Sequence, residues 1–115
     1  MGMISVYITN PDKEVASNVA KHLLEQRLIA CANMHVGRSF YWWEDQIQDS
    51  KEVILICKAL DKNYNKIVKE VRKVHTYKVP CIMKFVVNAN KDYETWASKV
   101  SAMKRGKKTV KKGNN

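Results

Sequence analysis

Cysteine is scarce in this 115-residue chain: Cys31, Cys57 and Cys81 are its only thiols. Three cannot all pair within one chain, they lie far apart, and no two form a CxxC, so they read as reduced thiols of a cytoplasmic protein. No apolar run approaches the length of a membrane span, and Met1 to Asn10 is too short and too interrupted for the apolar region of a signal peptide. There is no HExxH and no EF-hand loop, and His22 and His35 stand alone, one on the surface of a helix and one on a strand. No Ser, His and Asp set and no pair of carboxylates stands out for catalysis, so the chain reads as a non-enzyme. No internal repeat is present.

Positive charge is abundant, with 21 Lys and Arg against 11 Asp and Glu, a net of +10. Seven of the basic residues fall between Lys99 and Lys112, where there is no acid, which leaves 14 basic against 11 acidic residues, a net of +3, elsewhere. A lysine run without aromatics reads as a solvated, disordered end. The expected division is a folded domain over 1–102 and a basic tail over 103–115, with nucleic acid reached only through weak, salt-sensitive contacts of that tail.

The stretch from Ile29 to Lys58 is rich in apolar, β-branched and aromatic residues apart from a polar apex near Glu44 to Lys51, which favours two paired strands over a helix. One long hairpin follows. A first arm from about Ile29 to Trp43 overshoots a domain this small. Phe40, Tyr41, Trp42 and Trp43 near its tip carry too much apolar surface to leave in water, so the ribbon is expected to pair with another subunit. At this length the chain holds one two-layer domain for which contacts between copies matter.

In order, Met3 to Thr9 alternates as a buried strand, and Asn10 with Pro11 marks a helix start. Val15, Ala16, Val19, Ala20, Leu23 and Leu24 recur at helical spacing. After the hairpin, Asp61 reads as the N-cap of a second amphipathic helix with Tyr64, Ile67, Val68, Val71 and Val74. Cys81 to Val87 is a fourth strand, and Asn90 caps a third helix with Tyr93, Trp96, Ala97 and Val100. The order β, α, β-hairpin, α, β with one added C-terminal helix predicts an α+β, ferredoxin-like βαββαβ sandwich with a long β2–β3 hairpin.

Five segments in order, LIACANM (Leu28 to Met34), SFYWWE (Ser39 to Glu44), EVILICK (Glu52 to Lys58), HTYKVP (His75 to Pro80) and YETW (Tyr93 to Trp96), make the chain resemble the CutA family of divalent-cation tolerance proteins from about Ile4 to Val100. The resemblance implies a tight homotrimer in which hairpins of neighbouring subunits join into continuous sheets, and a link to tolerance of copper and other divalent ions.

Cys31 carries over as the candidate metal-binding thiol, a soft ligand suited to Cu(I), and His75 as an imidazole suited to Cu(II) or Zn(II). Against this, a free Cys is often simply a small buried residue, and His75 sits where it would close a helix C-terminus. Tyr41, Trp43, Glu52, Lys58 and Tyr77 match positions that in the family gather at a cleft between subunits, and Trp96 joins them as an interface or core aromatic. Lys78 and Cys81 stand where the family often has acids. The loss of carboxylates argues against Mg or Ca, and Cys81 beside Met83 offers a softer metal ligand. Asp45 replaces the family's usual turn glycine, which the left-handed tolerance of Asp permits.

The rival readings are a PII-like small-molecule sensor or a trimeric scaffold without a physiological metal, an RNA-binding sheet and an acylphosphatase. A PII-like sensor lacks its signalling loop and its phosphate-cradling glycines here. The RNA-binding sheet lacks paired aromatics on the first strand and on EVILICK. In the acylphosphatase reading, the Arg of VGRSF falls inside a strand and not between a strand and a helix.

Overall fold

The computed structural model describes residues 2–113 and shows eight elements in the expected order. These are β1 (Met3–Asn10), α1 (Lys13–Glu25), β2 (Cys31–Trp43), β3 (Gln46–Leu60), a single 3-10 turn (Asp61–Asn63), α2 (Tyr64–Val74), β4 (Ile82–Val87) and α3 (Lys91–Ser101). The strands form one antiparallel sheet in the order β2-β3-β1-β4, which is the ferredoxin-like arrangement.

Strand alternation decides which side chains reach the helices. Ile4, Val6 and Ile8 of β1 and Val53, Leu55 and Cys57 of β3 bury one face against Ala16, Val19 and Leu23 of α1 and Ile67 and Val71 of α2. On the other face α3 covers only one end, packing Ala97 over Met3, Ala30 and Leu60. The rest of that face, including Tyr7, Ile54 and Ile56, stays partly open, with Met83 and Phe85 exposed on β4.

The register of β1 against β3 ends at Asn10 opposite Val53, so residues 46–52 of β3 continue past the sheet paired only with 37–43 of β2. At about 3.3 Å per residue, seven such pairs project roughly 23 Å. The 45 Å long axis of the molecule reflects this ribbon. Its two-residue turn, Glu44 and Asp45, has both residues at positive φ (51° and 62°), the backbone whose twist matches a tight hairpin.

The helix ends differ from the sequence expectation in their chemistry. Asp12, not Asn10, caps α1: its carboxylate accepts the Val15 N–H at 2.9 Å. Asn10 is instead buried at the end of β1, where its amide donates to the Ile8 and Val53 carbonyls. Asp61 does not cap α2 through its side chain, which takes Lys84 Nζ at 2.9 Å; the 3-10 turn intervenes. Asn90 does occupy the N-cap of α3, without a side-chain bond, while Glu94 accepts the Ala89 N–H.

The close of α1 holds the tail. Leu28 N–H donates to Leu23 O and Arg27 N–H to Leu24 O, the paired bonds of a Schellman ending, with Arg27 at φ 59°. A side chain there costs about 1–2 kcal/mol relative to glycine. Arg27 uses that position to donate to the carbonyls of Lys104 (3.0 Å) and Val100 (3.3 Å). Gly106 N–H donates to Glu25 O, so the chain beyond α3 is tied down as far as Gly106. The tail expected to be disordered over 103–115 is thus attached at its start and irregular and exposed from 107 to 113, with 114 and 115 outside the described residues.

Candidate functional site

The projecting hairpin, from Glu52 at its base to Trp43 beside its turn, and the loop between α2 and β4 border a cleft of about 660 Å³. Its lining brings together five predicted residues, Tyr41, Trp43, Glu52, Tyr77 and Cys81, and adds Thr9, which sequence reasoning had not selected. Glu52 lies opposite Gly37, and a Cβ built on that glycine would come 3.0 Å from the Ile54 side chain, so the glycine leaves room for that side chain beside Glu52. Glu52 is 5% exposed, and the Tyr77 hydroxyl donates to its Oε2 at 2.5 Å. Burial first, and then the Glu52 carboxylate, push the Tyr77 pKa well above the ordinary phenol value, so this hydroxyl stays a donor. The same pair of causes raises the Cys81 thiol.

His75 borders this cleft as a clamp. Tyr77 N–H donates to its Nδ1 at 3.0 Å, which leaves Nε2 as the protonated nitrogen, donating to the Thr9 carbonyl at 2.8 Å. Its ring also lies 4.9 Å from that of Tyr77. Both imidazole nitrogens therefore have partners within the chain, and a metal at His75 would have to displace one of them. The backbone N–H of His75 also closes α2 on Val71 O, at the helix end that the sequence suggested.

Cys31, Lys58 and Trp96 lie elsewhere. Cys31 is opposite Lys58, which is opposite Ser5, whereas Thr9 is opposite Ile54. Lys58 lies six positions along β3 from Glu52, or roughly 20 Å of strand. Around Cys31 a second cluster forms on α3: Lys58 Nζ lies 5.7 Å from the Tyr93 ring centroid, and Tyr93 lies 5.3 Å from Trp96. Burial and the adjacent Cys31 push Tyr93 up to about 12. Sequence reasoning had placed Tyr93 in the YETW motif but not in the site; only the packing of α3 against β3 reveals its neighbours.

Within one chain, then, Cys31, His75 and Cys81 do not converge. Among the described residues no three His, Cys, Asp or Glu side chains are grouped to hold a metal ion. Cys57, fully buried with its thiol pushed up to about 12 chiefly by burial, is an inert core residue. No helix among the described residues is long and apolar enough to cross a membrane.

Comparison with known proteins matches residues 4–100 to the CutA1 divalent ion tolerance protein family. The chain is 44% identical over 95 residues to the divalent-cation tolerance protein CutA of Pyrococcus horikoshii, covering 82% of this chain and 93% of that one. Against the corresponding protein of Thermotoga maritima it is 40% identical, covering 82% and 94%. The solved structure of the periplasmic divalent cation tolerance protein CutA from Archaeoglobus fulgidus superposes with a TM-score of 0.84 at 33% identity, covering 86% of this chain and 98% of that one. With a ferredoxin-like sheet and a match to nearly everything but the tail, the chain belongs to the CutA1 divalent ion tolerance family.

Proposed function

We propose that the protein acts as a cytoplasmic homotrimer in the response to divalent metal ions, binding copper or another soft divalent metal without an organic cofactor and without catalysing a reaction. The observation that carries this reading is the division of the site: its two halves lie at opposite ends of a sheet face that is apolar and partly uncovered. A ribbon with Phe40 67% and Trp42 70% exposed supplies the means of joining copies. A neighbouring chain laid along that face would bring one copy's Cys31, Lys58 and Trp96 toward another's Glu52 and Tyr77.

One chain's residues do not make a metal centre, so metal affinity in this reading depends on assembly. Cys31 is the ligand we assign, since a half-buried thiol remains accessible where Cys57 is not. Light scattering at micromolar concentration is expected to give three subunit masses, and a monodisperse monomer overturns the trimer. Calorimetric titration of the reduced protein with Cu(I), Cu(II) and Zn(II) then tests the metal. Cys31→Ser should weaken copper binding without dissolving the assembly; unchanged binding in both Cys31→Ser and His75→Ala overturns the site assigned to these residues, and no binding of any of the three ions overturns the metal reading.

A second reading, a PII-like small-molecule sensor, is favoured by one feature. The 660 Å³ cleft, with aromatic walls and one buried Glu52–Tyr77 pair, has the size and chemistry of an organic ligand site. Saturable binding of a small organic molecule that is lost in Glu52→Gln but kept in Cys31→Ser would select it.

A further inference from the structure

On the side of the molecule away from the hairpin, the C-terminal end of α1, the start of α2 and the chain leaving α3 enclose a pocket of about 240 Å³. Four cations line it, Arg27, Lys62, Lys66 and Arg105, and no carboxylate does. Lys62, Lys66 and Arg105 have no side-chain hydrogen bond or ion pair among the described residues. Asp61, beside Lys62 in sequence, is turned to Lys84, and Glu70, one turn on from Lys66, is taken by His22 and Lys73. Arg27 donates its Nε and Nη1 protons to carbonyls, leaving Nη2 for another acceptor.

Four positive groups sharing one concavity without a counter-charge repel one another, and a bound anion relieves that repulsion. The wall is also held in place. Arg27 anchors Lys104, and Gly106, at φ 137°, turns so that its N–H meets Glu25 O; Arg105 lies between these two ties. Ser101, Ala102, Met103 and Arg105 lie past the segment matched by the family, so one wall of the pocket, with one of its four cations, comes from this chain's C-terminal extension.

We propose that this pocket binds a compact phosphate-bearing anion. Guanidinium groups pair with phosphate oxygens in a bidentate fork, and lysines add point charges. The volume is below the roughly 300–1,000 Å³ typical of drug-sized ligands, which favours a phosphate or pyrophosphate group over a whole nucleotide. No side chain caps α2 at this edge, so its positive end adds to the field without being required by the assignment.

The test is calorimetric titration of the full chain with inorganic pyrophosphate at low and at physiological salt. Saturation at one site per chain is expected. Affinity should fall by about tenfold or more in Lys66→Gln/Arg105→Gln and stay within about twofold in Lys111→Gln/Lys112→Gln, the control for diffuse tail charge. Arg27→Gly suits the backbone at φ 59°, so it should stay folded and yet lose binding. Vesicles of phosphatidylcholine with and without phosphatidic acid separate the sources: binding only to the latter, lost in the same double variant, assigns the phosphate to a lipid headgroup. No saturable binding to either probe overturns the proposal. So does equal loss of pyrophosphate affinity in the pocket and tail variants.

Discussion

Tyr77 reaches across from the loop after α2 and donates its hydroxyl to Glu52 Oε2, tying that loop to the base of the hairpin. With His75 bridging the Thr9 carbonyl and the Tyr77 N–H, three elements become fixed relative to one another by two side chains. Tyr77→Phe keeps the ring but leaves a nearly buried carboxylate short of a donor. A hydrogen bond to a charged group is worth about 1.5–3 kcal/mol, so the variant should lose about that much stability in urea unfolding. The folded-state Tyr77 pKa is raised, so its contribution is present below the ordinary phenol value and lost as pH rises past it. The parent should therefore lose stability more steeply than Tyr77→Phe above about pH 10.

The three thiols should differ in reactivity because burial and charge act on them differently. Cys57, pushed up to about 12, holds almost no thiolate at pH 8 and has no solvent access. Cys81 is raised by burial and by Glu52 but is partly exposed. Alkylation of the native protein followed by peptide mass spectrometry should leave Cys57 unmodified until the protein unfolds. Glu52→Gln removes the nearby charge and should speed modification of Cys81. Early labelling of Cys57 would mean that the sheet opens locally in the native state.

The alternation of Ile4, Val6 and Ile8 and the helical spacing of Val19 and Leu23 made the fold readable, because each period has one geometry that buries its apolar set. The cleft was partly legible, since Tyr41, Trp43, Glu52 and Tyr77 do share one concavity. Cys31 and Lys58 sit in motifs that look equivalent to these, but β3 is extended at about 3.3 Å per residue, and residues six apart on it cannot meet in one chain. The cap moved from Asn10 to Asp12 for a local reason: either side chain can cap a helix, and only the length of β1 decides which of them is still in the sheet. Nothing local in Arg27 signalled its left-handed backbone, where glycine is the usual choice, because its compensation comes from the Val100 and Lys104 carbonyls far along the chain.

Glu70 joins α1 to α2 by accepting His22 Nε2 at 2.8 Å, and it also takes Lys73 Nζ at 2.7 Å. Its pKa is held below the ordinary carboxylate value, first by Lys73 and then by His22. A depressed carboxylate contributes stability that is present above its unfolded pKa, near 4.5, and is lost as pH falls through the lower folded value. Glu70→Gln should therefore melt at a lower temperature than the parent at pH 7, with the difference closing on acidification below about pH 4. A constant difference across that range would show that Glu70 acts through packing and not through its charge.

Two truncations separate the attached part of the tail from the rest. Ending the chain after Gly106 removes four lysines but keeps the Arg27–Lys104 and Gly106–Glu25 bonds, so melting and assembly should not change. Weak, salt-dependent binding to nucleic acid should fall with those charges. Ending it after Ala102 removes both bonds as well, and Arg27 then holds a left-handed backbone with only the Val100 carbonyl to offset it. Two ordinary hydrogen bonds at about 0.5–1.5 kcal/mol each imply a loss of about 1–3 kcal/mol, read as a lower urea midpoint with the assembly intact. Restoring glycine at the strained position, Arg27→Gly, should recover part of that loss in the shorter chain. If the shorter truncation already lowers the midpoint, Lys108, Thr109 and Val110, which line a groove with Trp96 and Leu24, stabilise the domain. If the longer one changes nothing, the two bonds to the tail carry no net energy and Arg27 needs another explanation.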